Sequence, residues 1–220
     1  MKRTLLIMVL MLHVAAALAQ RYAFDKAPLS SDWQFLGQPD TTKYELRDDG
    51  KLRLHGDIYD FFENKSVTFM GLPVADAPFT FETKLTLFDA DNGDEAGVCL
   101  YRTPEVYVQC CLNHYRSDHR LKLRLHLFGH RLLLYDRSVK LRRDLWLRIS
   151  RTPDGNNYNF HYSFDGKKYH WLESVNVRLL STAVADAESP LLLGLYAYTG
   201  SARYQAGYSY GDFEYVDFRQ

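Results

Sequence analysis

Carboxylates come first, because two acids flanking a glycosidic bond can act as general acid and base, or as acid and nucleophile. In Asp212-Phe213-Glu214-Tyr215-Val216-Asp217, strand alternation places Asp212 and Glu214 on one face and Asp217 on the other. Asp91 through Glu95 fall in a glycine-containing turn. Neither group has the spacing of a glycanase pair, and both suit turn acids and edge-protecting strand acids. The eight histidines form no close-spaced ligand pair: His114 and His119 sit in a polar turn, His126 and His130 flank a hairpin, and His161 and His170 straddle another. A structural calcium is conceivable only where the two ends of the chain pair, at Asp25 and Asp217. No other cofactor is implied. There is no nucleophile elbow for serine catalysis, and Cys99, Cys110 and Cys111 lie in strand-like sequence, where cysteine is usually a small buried apolar side chain.

What remains is recognition. The segment 93–113 reads as a hairpin that turns at Thr103-Pro104-Glu105, since Pro104 pre-sets φ for a turn corner and cannot donate a ladder hydrogen bond. An even-membered turn sets Tyr101 opposite Val108 and Cys99 opposite Cys110. One face then carries Cys99, Tyr101, Val106, Val108, Cys110 and Leu112 and reads as packing. The other carries Val98, Leu100, Arg102, Tyr107, Gln109, Cys111 and Asn113. Arg102, Tyr107, Gln109 and Asn113 are therefore the candidate ligand-binding residues, offering an aromatic face and amide and guanidinium donors to a sugar ring. The same mixture also describes an ordinary half-solvated sheet face, so two readings stand. Directly opposed Cys99 and Cys110 could form a cross-strand disulfide, although strain at such positions favours free thiols, and with three cysteines at least one stays unpaired.

The elements that must position these residues are strands. Lys51-Leu52-Arg53-Leu54-His55, Phe79 to Phe88, Leu121 to Phe128 and Leu145 to Ser150 alternate apolar and polar residues. Trp33 to Leu36, Val67 to Met70, Leu191 to Tyr198 and Tyr210 to Phe218 are also strand-like, and Tyr158, Phe160, Tyr162 and Phe164 share a face. Pro153 to Asn157 and Asp165-Gly166 read as hairpin turns. No sustained 3.6-residue apolar period and no repeat of 20–50 residues appears after the first 19 positions. The expected fold is all-β, an antiparallel two-sheet β-sandwich.

Residues 1–19 have the form of a secretory signal: Lys2 and Arg3, an apolar run from Leu5 to Ala16, and Ala17-Leu18-Ala19 as cleavage site. The run is short of the ~20 residues a membrane span needs. The predicted mature protein starts at Gln20, is secreted or periplasmic, and forms one domain over 20–220. With Lys2 and Arg3 removed, the 27 basic residues fall to 25 against 27 acidic ones. That balance, without a basic tail or arginine stripe, speaks against nucleic acid as a partner.

Several stretches in order resemble a known family. Phe24-Asp25, Asp32-Trp33-Gln34-Phe35-Leu36 and Lys51-Leu52-Arg53-Leu54-His55-Gly56 look like the start of the C-terminal concanavalin A-like domain of family 43 β-xylosidases. Phe79-Thr80-Phe81-Glu82-Thr83, Glu95-Ala96-Gly97-Val98, Tyr158 to Gly166, Gly194-Leu195-Tyr196-Ala197 and Asp212-Phe213-Glu214-Tyr215 continue the likeness. The resemblance implies a jelly roll of the concanavalin A-like lectin/glucanase kind that, in those enzymes, packs beside a five-bladed propeller holding the catalytic carboxylates. This chain encodes no such propeller, so the expectation is a non-catalytic module in xylan or arabinan use, with an oligo- or polysaccharide as partner. The alternative is a module that docks onto a separate glycoside hydrolase. Where the family brings an aromatic loop residue towards the substrate, this chain reads Glu188-Ser189-Pro190-Leu191, which puts a contribution to a partner's active site in doubt.

Overall fold

The computed structural model describes residues 19–36, 41–58, 61, 67–88, 93–116, 118–140, 144–185, 188–200 and 209–220. The predicted signal, residues 1–18 of it, and Asp91 lie outside these ranges. The described chain is an antiparallel two-sheet β-sandwich. Its strands are β1 (Ala19–Ala23), β2 (Gln34–Phe35), β3 (Tyr44–Leu46), β4 (Leu52–His55), β5 (Thr68–Val74), β6 (Phe79–Phe88), β7 (Glu95–Thr103) and β8 (Val106–Tyr115). The second half continues with β9 (Asp118–Leu127), β10 (His130–Val139), β11 (Leu145–Arg151), β12 (Asn157–Ser163), β13 (His170–Asn176), β14 (Leu191–Tyr198) and β15 (Tyr210–Arg219). A 3-10 turn, Val177–Leu180, and a single helical turn, α1 (Thr182–Ala185), link β13 to β14.

One sheet has eight strands, in the order β13-β12-β11-β6-β15-β4-β3, with β1 also paired to β15. The other has seven, in the order β10-β9-β8-β7-β14-β5-β2. The period-2 patterns are what builds them. Leu121, Leu123 and Leu125 of β9 point into the sandwich, as do Leu145, Leu147 and Ile149 of β11, while the residues between them face outwards. The hairpin from β9 to β10 turns on Phe128 and Gly129, both at positive φ (48° and 81°), the two-residue turn whose twist matches that of the strands. At two strand crossings only glycine fits. A Cβ on Gly97 would lie 2.2 Å from the Cys110 carbonyl oxygen, and one on Gly194 would lie 2.0 Å from that of Met70.

The hairpin at Pro104 forms, but its register differs from the sequence expectation. Thr103 pairs with Val106 across the turn; then a bulge inserts one residue, so Tyr101 pairs with Tyr107, Cys99 with Gln109 and Val98 with Cys110. Arg102 is the inserted residue. Because a one-residue slip exchanges the faces of a strand, the faces assigned to β7 are reversed. Val98 and Leu100 join Val106, Val108 and Cys110 in the core between the sheets, whereas Cys99 and Tyr101 join Tyr107 and Cys111 on the outer face. A second bulge, between Phe213 and Val216 of β15, has a like effect and brings Asp217 to the outer face already occupied by Asp212 and Glu214.

Candidate functional site

Tyr107, Gln109 and Asn113 do share the outer face of the seven-stranded sheet, but not as an open platform: their exposures are 0%, 4% and 2%. Phe61 covers them. Its ring lies 5.1 Å from that of Tyr107, 5.5 Å from Tyr101, 5.6 Å from Tyr196 and 5.4 Å from Phe69, so five aromatic rings from four strands and one connection close over this part of the sheet. Beneath the cover lies a buried polar network. The Glu95 carboxylate accepts from Arg124 Nη2, from Asn113 Nδ2 at 3.2 Å and from the Tyr196 hydroxyl at 3.4 Å. Burial alone would discharge Arg124, but the Glu95 carboxylate outweighs it and keeps the guanidinium charged, well above its ordinary pKa. His126 stacks on Tyr107 at 4.1 Å. Burial, together with Arg131 and Arg124, pushes its pKa down to about 3, so its imidazole is neutral.

The cysteines follow the corrected register. All three are free and buried, and Cys99 and Cys110 lie on opposite faces of the sheet, so the cross-strand bridge does not form. Burial pushes the Cys111 thiol up to about 12, with the nearby Glu95 carboxylate adding to the effect. Cys99 and Cys110 are raised well above the ordinary range by burial too. Buried neutral thiols of this kind are poor nucleophiles.

Arg102 is the one ligand-binding candidate that departs from the other three. As the bulged residue it projects towards the end of the sandwich, where the connection from β13 to β14 crosses. Its Nε donates to the Leu180 carbonyl at 2.9 Å and its Nη1 to the Ser189 carbonyl at 2.5 Å. It lines a cleft of about 470 Å³ together with Asp76, Arg151, Tyr158 and Arg178, and with apolar walls that include Val74 and Leu191. Burial lowers the pKa of Arg102, while Tyr158 and Asp76 act the other way. Burial raises that of the Tyr158 hydroxyl, and the positive fields of Arg151 and Arg102 oppose the rise. Arg151 is ion-paired with Asp76, whose side chain is 92% exposed at the rim. No sequence spacing announces this cleft, because its arginines come from the bulge near the end of β7, the end of β11 and the 3-10 turn.

Of the acids considered for catalysis, Asp212 and Glu214 are held by cations, as Glu95 is by Arg124, while Asp94 accepts from the Gly200 backbone N–H at 2.8 Å. Arg53 grips Asp212 with two bonds, Nε to Oδ1 at 2.7 Å and Nη2 to Oδ2 at 2.9 Å, while stacking 3.5 Å over the Tyr210 ring. Lys84 bonds Glu214 at 2.5 Å and Asp144 at 3.2 Å. Sequence reasoning missed Glu82, which takes two bonds from Arg148 at 2.9 and 2.6 Å and one from the Tyr215 hydroxyl at 2.8 Å. Each of these carboxylates is thus engaged with a cationic side chain of the fold rather than free to meet a substrate. Asp25 and Asp217 do not meet: Asp217 sits opposite Arg21 and accepts from Arg219 at 2.9 Å, whereas Asp25 follows the end of β1 and lies against Gly50. Among the described residues no group of three or more His, Cys, Asp or Glu side chains could hold a metal ion. No described helix is long and apolar enough to cross a membrane.

Comparison with known proteins gives a consistent outcome. A family model described as the beta xylosidase C-terminal concanavalin A-like domain matches residues 21–219. The non-reducing end alpha-L-arabinofuranosidase BoGH43B of Bacteroides ovatus is 24% identical over 211 residues, which cover 94% of this chain and 38% of that protein. Among solved structures, the GH43 protein BlXynB of Bacillus licheniformis superposes with a TM-score of 0.80 at 22% identity, covering 90% of this chain and 39% of that one. The xylan beta-1,4-xylosidase of Bacillus halodurans gives 0.79 at 16% identity, covering 91% and 39%. The chain thus spans less than two fifths of the length of these relatives.

Proposed function

Because the chain belongs to the β-xylosidase C-terminal concanavalin A-like domain family, we propose that it is a non-catalytic accessory module in the use of plant polysaccharides such as xylan or arabinan, exported by the signal at residues 1–19. The observation that carries the non-catalytic reading is the pairing of Asp212, Glu214, Glu95 and Glu82 with arginine or lysine. We place the glycan contact at the cleft beside Arg102. Tyr107, Gln109 and Asn113 are buried, with Phe61 packed over Tyr107, and offer no ring to a sugar.

A shallow cleft of this size suits one or two sugar units, with dissociation constants nearer ~1 mM than ~1 nM. Affinity electrophoresis in gels containing xylan, arabinan or mixed-linkage glucan tolerates such weak binding. The expected result is retardation by at least one plant polysaccharide that is lost in Arg102→Ala with the fold intact. Absence of retardation by every glycan would overturn the glycan reading.

One observation favours the docking alternative. The β9–β10 hairpin exposes Phe128 (51%), Leu132 (46%) and Leu133 (56%) at the edge of the seven-stranded sheet, and exposed apolar side chains on an edge strand suit a protein contact. Pull-down of a co-exported hydrolase that fails with Leu133→Lys would support that reading.

A further inference from the structure

We infer that the cleft beside Arg102 recognises the carboxylate of an acidic sugar, a uronate, rather than a neutral pentose or hexose; this rests on the accessory-module reading above. Charge is the first reason. The wall holds three guanidinium groups, Arg102, Arg151 and Arg178, and one carboxylate, Asp76. Asp76 is committed to Arg151. Arg102, by contrast, bonds only two backbone carbonyls, and among the described residues no carboxylate bonds to it. A half-buried cation that no carboxylate bonds is stabilised by an anionic ligand, and the planar guanidinium fork matches a carboxylate.

Geometry is the second reason. The Leu180 and Ser189 carbonyls hold Nε and Nη1 at 2.9 and 2.5 Å, which fixes the guanidinium plane before any ligand arrives and lowers the ordering cost of binding. Val74, Val177 and Leu191 supply apolar surface for the C–H face of a pyranose, and Thr182 adds a hydroxyl to the lining. A volume of about 470 Å³ falls in the range of small-ligand sites, roughly 300–1,000 Å³. The sign of the charge is particular to this cleft. A second cavity, of about 560 Å³ near β1 and β2, contains Asp32 and no lysine or arginine, and that carboxylate already accepts from the Tyr22 and Ser30 hydroxyls and from the Gln20 amide.

The test compares D-glucuronate with D-glucose, which differ at one carbon, by NMR titration of the mature chain, with sodium acetate and inorganic phosphate as further arms. The expected result is binding of glucuronate about tenfold or more tighter than glucose, as one charge-assisted hydrogen bond supplies, weakened by added salt. Arg102→Gln should lose that discrimination. Arg178→Ala, which removes an exposed side chain with no hydrogen bond among the described residues, should weaken glucuronate severalfold with no change in thermal stability, so the inference does not depend on whether the Arg102 variant folds. Equal binding of glucuronate and glucose, or phosphate or acetate binding as tightly as glucuronate, would overturn it. So would unchanged glucuronate affinity in both variants. Retardation in neutral arabinan without uronate selectivity would sink this inference alone, whereas no retardation by any glycan would also remove the reading on which it rests.

Discussion

His126 shows how far a residue's chemistry depends on what lies over it. Between Tyr107 and the guanidinium groups of Arg124 and Arg131 its folded pKa is about 3, below the ordinary value near 6.5. The unfolded chain therefore takes up a proton first as the pH falls. The associated stability is fully present above about pH 6.5 and is lost progressively down to about pH 3. His119 and His161 are shifted the same way, chiefly by burial. Thermal melts from pH 7 to pH 4 should show a falling midpoint, and His126→Phe, which keeps a ring against Tyr107, should make the fall shallower. An unchanged slope would show that His126 is not the buried neutral group described here. Glu95 contributes at neutral pH as well. Removing one partner of a buried ion pair costs about 3–5 kcal/mol, so Glu95→Ala should lower the unfolding free energy by that order in urea titrations. The sequence pointed to Tyr107, Gln109 and Asn113 as one group, which the strand period makes legible. It could not show that Phe61, 46 residues before Tyr107, packs over that ring.

The bulge is the feature of the strands that sequence pattern did not reveal, and at this scale it decides the most. The alternation in β6, β9 and β11 was plain because leucine, isoleucine or phenylalanine recurs at nearly every second position, and a sheet with one buried face needs no more than that. In β7 and β8 both faces are apolar or aromatic, so the pattern loses its power to fix register just where one extra residue matters. Arg102 occupies that extra position. The thiols report on the consequence. In the native protein all three should resist alkylation. Phe61→Ala removes the ring over the outer face, a change that costs about 3–5 kcal/mol for a well-packed phenylalanine, and should speed labelling of Cys99 and Cys111 relative to Cys110, which faces the interior of the sandwich. Peptide mass spectrometry after brief alkylation separates the two neighbours. Faster labelling of Cys110 than of Cys99 would contradict the register. Gly194→Ala should destabilise more severely than any surface substitution on β14, since the new methyl would meet the Met70 backbone at 2.0 Å, and backbone cannot move aside as a side chain can.

At the scale of the molecule, the two-sheet sandwich was legible because turn residues punctuate the chain every ten or so positions and no helical period competes. Where the chain closes on itself was not, since pairing between distant segments leaves no local trace. The first described strand makes that closure: Ala19 to Ala23 pair in order with Arg219 to Tyr215. Tyr22 is buried to 8%. Its ring meets Trp33 edge-on at 5.3 Å, and its hydroxyl donates to Asp32 at 3.1 Å. Cleavage after Ala19, as the proposed signal requires, removes one ladder pair and keeps Gln20 to Ala23 on β15. The exported protein should therefore have an intact mass that begins at Gln20, and recombinant chains starting at Gln20 should melt close to those retaining Ala19. A chain starting at Phe24 loses the whole strand and the Tyr22 contact with Trp33, for which we expect a loss of about 3–5 kcal/mol, as for a buried aromatic truncation. Equal stability of the chains starting at Gln20 and Phe24 would show that β1 adds nothing to the sandwich. A processed terminus beyond Ala23 would show that the functional module does without it.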